Sequence, residues 1–387
     1  MSQKTVICLY THGGGMRGLI PALIMQEIEA RTGLAMVDMI DIFSGPSTGS
    51  ILNAAMNIPH PHEPDRPKYK ARHLVLFYER EGGRIFPQDA LREFRGFLHD
   101  FNNRVTKIKR LDWVMNRGHY DPANLGRSLR ALYGKTKLSD SLRNLIIPVY
   151  NIAEPPLPKD GDSTPEVTLG SHAVWLKKIG FNKGVQPATC TDVSLFDAVM
   201  GSTAAPTYFP CHKFKVKMDD KKSKVNTITA IDGSVFDSPP ITYMSVLQRY
   251  LPPKTKVIMI VLGTGMTQIS FTKEQWNKFG SLGVVDPVHG LPLINIFFHA
   301  AESALSSAFE EKIGDNVFIF NKSLVPTTKN HDLPEQDIDD ASPDNIRRMK
   351  KFTAELLEEH EDQLEELCKI LVKHHVKTRK KSLFKKR

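Results

Sequence analysis

The segment Gly45-Pro46-Ser47-Thr48-Gly49 constrains this chain more than any other. It fits G-x-S-x-G, follows the apolar run Met36 to Phe43, and precedes a small-residue stretch from Ser50 to Met56. A serine in this setting sits on a sharp, strained turn between strand and helix, which holds its Oγ out toward solvent. The flanking glycines let strand and helix approach where a Cβ would clash. The segment therefore asks for an α/β unit with the hydroxyl at the carboxyl end of a sheet. Alone the pattern is short enough to arise by chance; its placement gives it weight.

The same strand, loop, helix order opens the chain. Val6 to Tyr10 are β-prone, Gly13-Gly14-Gly15-Met16-Arg17-Gly18 break the run, and Leu19, Leu23, Ile24 and Ile28 recur at helical spacing. Backbone N–H groups of such a loop can turn inward as an anion nest, reinforced by the helix N-terminus and by Arg17. An oxyanion of a tetrahedral acyl intermediate would suit it, and so would a phosphate. The run also satisfies G-x-G-x-x-G, which in a dinucleotide site needs an acidic residue at the end of the next strand. Asp38 and Asp41 lie near that distance, but the strand runs straight into the Ser47 turn, which favours the acyl reading. A third group, Asp232, ends the run Ile228 to Ile231 in AIDGS. An Asp-Gly pair is often turn chemistry. Beside the loop and the serine turn, it completes three groups at strand ends, where α/β sites gather.

The remaining pattern alternates strands and helices, which predicts an α/β sheet covered on both faces. Residues 59–70 read as a Pro- and His-rich loop, and 71–143 as mostly helical and basic, with Phe94, Phe97, Leu98 and Phe101 on one stripe. Leu145 to Ile152 and Val167 to Leu176 read as strands, Ser194 to Met200 as a helix, 213–224 as a hairpin or loop, and Lys256 to Leu262 as a strand. Near the end, Ser342 as N-cap, Pro343 and Asp344 start a helix. Apolar residues from Ile346 to Leu371 at spacings of mainly three and four predict one amphipathic helix of about 30 residues. Its apolar face belongs on its own body, with a dimer seam or partner site as the alternative.

Charge divides the chain. The net +9 is a basic body (residues 1–331, surplus 9), an acidic block (332–368, deficit 9) and a wholly basic end (369–387, 9 basic residues). The closing KTRKKSLFKKR has no apolar face of its own and is expected to be flexible. No uncharged apolar run approaches the roughly 18–20 residues of a membrane span. The N-terminus lacks the long apolar core of a secretory signal. Cys8, Cys190, Cys211 and Cys368 are scattered without CxxC spacing, so neither a disulfide framework nor a zinc site is suggested. His60 and His62 lack the further ligands a metal needs. The basic helical stretch carries no recognised nucleic-acid motif, and its aromatics suit a core.

Taken together, HGGGMRG (12–18), GPSTG (45–49), STAAPTYFP (202–210), IDGS (231–234) and LGTG (262–265) resemble the patatin-like phospholipases, in family order and across roughly residues 5–325. The resemblance implies a three-layer α/β/α fold with a central, mostly parallel sheet, and the C-terminal helical extension read from its apolar spacing lies outside the resemblance. The family likeness implies a catalytic domain over 1–331 with a largely helical insertion at 60–144. An acidic amphipathic helix over 332–376 and a flexible basic tail over 377–387 would follow. Ser47 would be the nucleophile and Asp232 its dyad partner, with Gly13, Gly14, Gly15, Arg17 and Gly18 binding the oxyanion and Gly45, Gly49 and Gly233 shaping the turns. No metal or other cofactor is implied. The expected substrate is a phospholipid or other lipid ester, and the expected partner an anionic membrane surface rather than nucleic acid. A homodimer or protein partner would use the C-terminal helix. The expected location is cytoplasmic and peripheral to a membrane, with delivery by a secretion route lacking a cleavable signal also compatible.

Three departures from the family pattern stand out. His12 replaces the usual Asp and cannot pair with Arg17 as a carboxylate would; Ser234 replaces Gly or Ala; and Asp237-Ser238-Pro239-Pro240 stands where asparagines usually precede proline. They motivate one alternative, a catalytically weak protein that binds a lipid surface or a partner. Another alternative is a full Ser-His-Asp triad using His289 or His299.

Overall fold

In the computed structural model, residues 4–87, 120–153, 171–217, 225–267, 270–284, 292–327 and 331–385 are described. Strand β1 (Thr5–Thr11) is buried from Val6 onward, as only a strand covered on both faces can be. Alternate residues serve opposite layers: Ile7 and Leu9 join one apolar cluster, Val6, Cys8 and Tyr10 the other. β2 (Ile42–Ser44) and β8 (Lys256–Leu262) flank β1 in parallel. β3 (Asn144–Asn151) lies parallel outside β2, and β9 (Val317–Phe320) parallel outside β8. Antiparallel β4 (His172–Ile179) and β5 (Thr189–Cys190) continue the sheet beyond β3. β6 (His212–Lys217) and β7 (Val225–Asp232) pair with each other, completing nine strands.

Along β3 two strands share one edge. β2 stops after three residues, with Ser44 opposite Ile146 of β3. The edge of β3 that β2 leaves empty is taken from the opposite direction by β7, whose Asp232 faces Val149. The carboxyl ends of β2 and β7 thus meet along one strand.

Helices cover both faces. Against Ile7 and Leu9 lie α1 (Leu19–Thr32), α2 (Thr48–Met56), α3 (Ala71–Ile85), α4 (Pro122–Tyr133) and α5 (Leu195–Ser202). The opposite face holds α6 (Pro292–Ile313) and the turns from Pro239 to Tyr250. The architecture is a three-layer α/β/α sandwich around a mostly parallel sheet. Among the described residues, no helix is long and apolar enough to cross a membrane.

The C-terminal segment forms two helices, α7 (Pro343–Glu359) and α8 (Glu361–Lys385), where one was expected. His360 interrupts them at φ −112° and ψ 25°. Ser342 caps α7 by accepting the Asn345 N–H at 3.2 Å. Phe352, Leu356, Leu364, Leu367 and Leu371 are at most 1% exposed and belong to the main core cluster. Each such side chain contributes about 1.5–3 kcal/mol by leaving water. The apolar face is therefore spent on the chain's own body, which removes the main reason for a dimer seam there. The backbone stays helical to Lys385, past residue 376 where helix was expected to end. Lys, Arg, Leu and Phe continue a helix readily, and no Gly or Pro follows to stop it.

Other elements shift locally. Met36–Met39 is a helical turn rather than the start of a strand, because an apolar run of this length fits either period. The strand expected at Val167 to Leu176 is observed as β4, and residues 154–170 lie outside the described residues. Within 213–224 the described part is strand β6, paired with β7. Phe94, Phe97, Leu98 and Phe101 lie outside the described residues.

Candidate active site

The turn after β2 is bent against β1. A Cβ on Gly45 or on Gly49 would come within 2.0 Å of the Thr11 carbonyl oxygen, so both glycines are required by that close approach. Between them Ser47 adopts φ 53° and ψ −128°, a left-handed conformation that costs a non-glycine residue about 1–3 kcal/mol. The surroundings hold it there. Ser47 N–H donates to the Ser202 carbonyl at 3.0 Å and reaches the Ser202 Oγ at 3.1 Å. The Ser202 hydroxyl in turn donates to the Pro148 carbonyl at 2.6 Å. Ser47 is partly exposed, and its hydroxyl lies near enough to the Asp232 carboxylate to favour the charged form.

Asp232 is 1% exposed, and burial pushes its carboxyl up to about 6. The Ser234 N–H at 2.8 Å and the Ser47 hydroxyl work the other way, favouring the charged form. The Ser234 hydroxyl is buried beside the carboxylate without a well-aligned hydrogen bond of its own. Gly233, next in sequence, packs on the Pro148 carbonyl. A carboxyl with a pKa near neutrality is ionised at pH 7 yet basic enough to exchange protons with a hydroxyl.

The glycine loop closes the third side. Gly13 lies between the two groups: a Cβ there would meet Ser234 Oγ at 2.4 Å and Ser47 Cβ at 3.0 Å. Gly14 abuts Thr264 of the LGTG turn, whose hydroxyl donates to the Gly13 carbonyl at 2.7 Å. Met16 N–H goes to the Ile338 carbonyl and Arg17 N–H to the Gly14 carbonyl. Among the described residues, the N–H groups of Gly13, Gly14 and Gly15 have no backbone acceptor, leaving them as donors for an oxyanion. Arg17 and Gly18 lie behind the loop instead. Gly18 packs on Thr48 and Tyr78. The Arg17 guanidinium is 6% exposed, with Nε and Nη1 lacking hydrogen-bond partners, and burial lowers its pKa to about 10. The Tyr208 phenol and the Asp337 carboxylate, the latter from the C-terminal acidic block, oppose that shift. His12 itself sits edge-on to Tyr10, ring centroids 5.2 Å apart.

From Ser47 a narrow apolar cleft, with about 40 Å³ open to a water-sized sphere, runs between α2, α3 and α4. Met16, Ile51, Phe77, Ile85, Phe86, Leu125 and Phe209 are among the residues of its wall. Tyr78, also on the wall, donates to Thr48 Oγ1, which donates to the Gly15 carbonyl at 3.0 Å. This relay ties the cleft to the glycine loop. The cleft's lining suits apolar atoms rather than charged ones.

Sequence reasoning missed several residues here. Ser202 lay inside a marked motif, but nothing local announced its bond to Ser47. Asp237, in the segment that departs from the family pattern, is 5% exposed and accepts hydrogen bonds from Tyr10 at 3.1 Å, Trp175 at 3.0 Å and Thr242 at 2.9 Å. It clamps β1 and β4 to the turn that follows Asp232, and burial pushes its carboxyl up to about 7. His299 is exposed on α6 and His289 lies outside the described residues. Among the described residues, no histidine is a hydrogen-bond or charge partner of Asp232. His60 and His62 stand edge to edge on the surface, and among the described residues no group of three His, Cys, Asp or Glu side chains could hold a metal ion.

The sequence model of the family described as patatin-like phospholipase matches residues 10–245, which takes in the loop, Ser47 and Asp232. The chain belongs to the patatin-like phospholipase family. It is 27% identical to patatin-like protein 1 of Oryza sativa subsp. indica over 77% of this chain and 68% of that one. Against patatin-like protein 2 of Arabidopsis thaliana it is 26% identical over 91% of this chain and 83% of the relative. With patatin-like protein 2 of the same rice it shares 29% identity over 64% of this chain, about half (54%) of that protein's length. Among solved structures, VipD from Legionella pneumophila is matched over 92% of this chain and 67% of that one at 14% identity. The TM-score of 0.28 is too low for anything to be drawn from it. The patatin-like phospholipases are, as a family, lipid acyl hydrolases.

Proposed function

We propose that this patatin-like protein is a lipid acyl hydrolase of phospholipase A type that works through a Ser47–Asp232 dyad and an acyl-enzyme. One observation carries the reading: a strained, partly exposed Ser47 beside a buried carboxylate of raised pKa, at an apolar cleft. Asp232 removes the Ser47 proton as Oγ attacks the ester carbonyl. N–H groups of Gly13 to Gly15 receive the oxyanion, each donor contributing about 3–4 kcal/mol to the transition state. The proton held by Asp232 passes to the departing alcohol, and the freed carboxylate then activates the water that hydrolyses the acyl-enzyme.

The second reading is a catalytically weak protein that binds a lipid surface or a partner, and two observations weigh against it. Asp237 lies in a hydrogen-bonded clamp rather than between the reacting groups, and Asp337 supplies charge beside Arg17. As part of the same proposal, the basic body and the basic end favour peripheral docking on an anionic lipid surface, where each Lys or Arg contributes about 1 kcal/mol. The test is fatty-acid release from mixed phosphatidylcholine/phosphatidylglycerol vesicles. Wild type should release acid, and Ser47→Ala and Asp232→Asn should not. Equal release by wild type and Ser47→Ala would refute the dyad.

A further inference from the structure

Ile338 stands at the glycine loop although it lies far beyond residue 245, where the family match ends. Its carbonyl accepts the Met16 N–H at 2.7 Å. Gly15, at φ +55°, can approach only because it has no side chain: a Cβ there would lie 2.1 Å from that carbonyl oxygen. Beside this contact Ile338 forms part of the cleft wall with Gly15, Met16 and Ser47.

The segment that carries it is anchored on both sides. Asn345, 1% exposed, donates to the Asp340 carbonyl at 2.8 Å and accepts the Glu335 N–H at 2.9 Å, bracketing Ile338. The Tyr120 hydroxyl donates to Asp339 at 2.6 Å, while the Tyr120 N–H donates to the Tyr208 carbonyl at 3.1 Å. A wall residue fixed this firmly excludes substrate atoms rather than yielding to them.

We propose that Ile338 is a specificity-determining residue, the wall against which the acyl carbons nearest the ester carbonyl pack. The assignment rests on Ser47 as the attacking residue. It divides the cleft by depth. Ile338, bonded to the oxyanion loop, reads the acyl group beside its carbonyl, whereas Phe77 and Ile85 of α3 meet the chain elsewhere along the wall. Straight acyl chains pass Ile338, and chains branched at the carbon next to the carbonyl collide with it. A segment outside the matched region thereby chooses among acyl esters.

The experiment compares kcat/KM for p-nitrophenyl butyrate and p-nitrophenyl 2-methylbutyrate in wild type and Ile338→Ala, each corrected with Ser47→Ala. One methyl group against a packed wall changes kcat/KM by about tenfold or more, so Ile338→Ala should raise the branched-to-straight ratio by about that factor. An unchanged ratio would overturn the proposal. A turnover-free arm uses the Ser47→Ala protein and displacement of cis-parinaric acid by butyrate and by 2-methylbutyrate. Ile338→Ala should tighten the branched acid relative to the straight one, and equal displacement in both proteins would also overturn the assignment. If wild type shows no Ser47-dependent hydrolysis of any ester, the dyad reading fails, while the displacement arm still decides the role of Ile338.

Discussion

The hydroxyl of Ser202 donates to the carbonyl of Pro148 at 2.6 Å, tying helix α5 to the stretch of β3 that neither β2 nor β7 pairs. Because Ser202 also receives the Ser47 N–H, this one side chain links the strained turn to the sheet. Ser202→Ala leaves a buried carbonyl without its donor and should cost about 1–3 kcal/mol of stability. Chemical denaturation measures that loss. The same variant should lower kcat on a soluble ester more than it raises KM, since it loosens the reacting group rather than the cleft.

The raised pKa of Asp232 predicts opposite pH trends for activity and stability. Only the ionised carboxylate accepts the Ser47 proton, so kcat/KM should rise through pH about 6 and level off above it. In the unfolded chain the same group loses its proton near 4. Between these values the folded state binds more protons, so unfolding free energy falls as pH rises and then flattens. For this one group the fall is on the order of 3 kcal/mol. Asp237 behaves alike, with its window reaching to about 7. Asp237→Asn should therefore flatten the upper part of the stability profile while leaving the activity limb near 6. A limb that moves with Asp237→Asn would mean that Asp232 is not the titrating base.

Gly13 has no room for a methyl group, and Ser234 is one of the two obstacles. Gly13→Ala should lower kcat by about 10²–10³, in the range seen when one oxyanion donor is displaced. Ser234→Gly opens the space at 2.4 Å but leaves Ser47 Cβ at 3.0 Å. The double variant should therefore recover part of the loss and no more. Steady-state kinetics of the four proteins decide it. No recovery at all would show that Ser234 is not what a side chain at position 13 meets.

At the C-terminus, burial and charge can be separated. Arg31 holds Glu361 through two contacts at 2.5 and 2.9 Å, but both side chains face solvent. Exposed pairs of this kind add little. Glu361→Gln should leave the Tm nearly unchanged. Leu364 is fully buried three residues away, and Leu364→Ala should cost about 2–5 kcal/mol. Calorimetry of the two variants separates the contributions.

Much of the site was legible because its geometry is local. The turn at Ser47 follows from glycine spacing beside an apolar run, and Asp232 from a strand that ends in Asp-Gly. What stayed hidden depends on contacts between distant parts of the chain. Ser202 marks no turn and has no special neighbour in sequence, yet it carries the Ser47 N–H. Asp337 and Ile338 belong to a segment that reads only as an acidic loop before a helix cap, and folding brings them to Arg17 and Gly15. The break at His360 has no Gly or Pro to announce it. Met36 to Phe43 misled for another reason: a short apolar run interrupted at Asp38 and Asp41 fits either period, and only packing chose a helical turn for its first half.

The shortness of β2 has a consequence for tolerance to change. Ser47 and Asp232 are held by separate segments, but both segments are measured off β3, one ending opposite Ile146 and the other opposite Val149. β3 is thus a ruler for the proposed dyad, and the gap between the two marks is a property of one strand's repeat. Loops joining the elements can lengthen or shorten without altering it. A slip of β7 by a single residue could not be absorbed, because it would turn the carboxylate to the opposite face of the sheet. Insertions in surface loops away from the glycine loop and the Ser47 turn should be tolerated where they leave that register alone, and should be fatal within it.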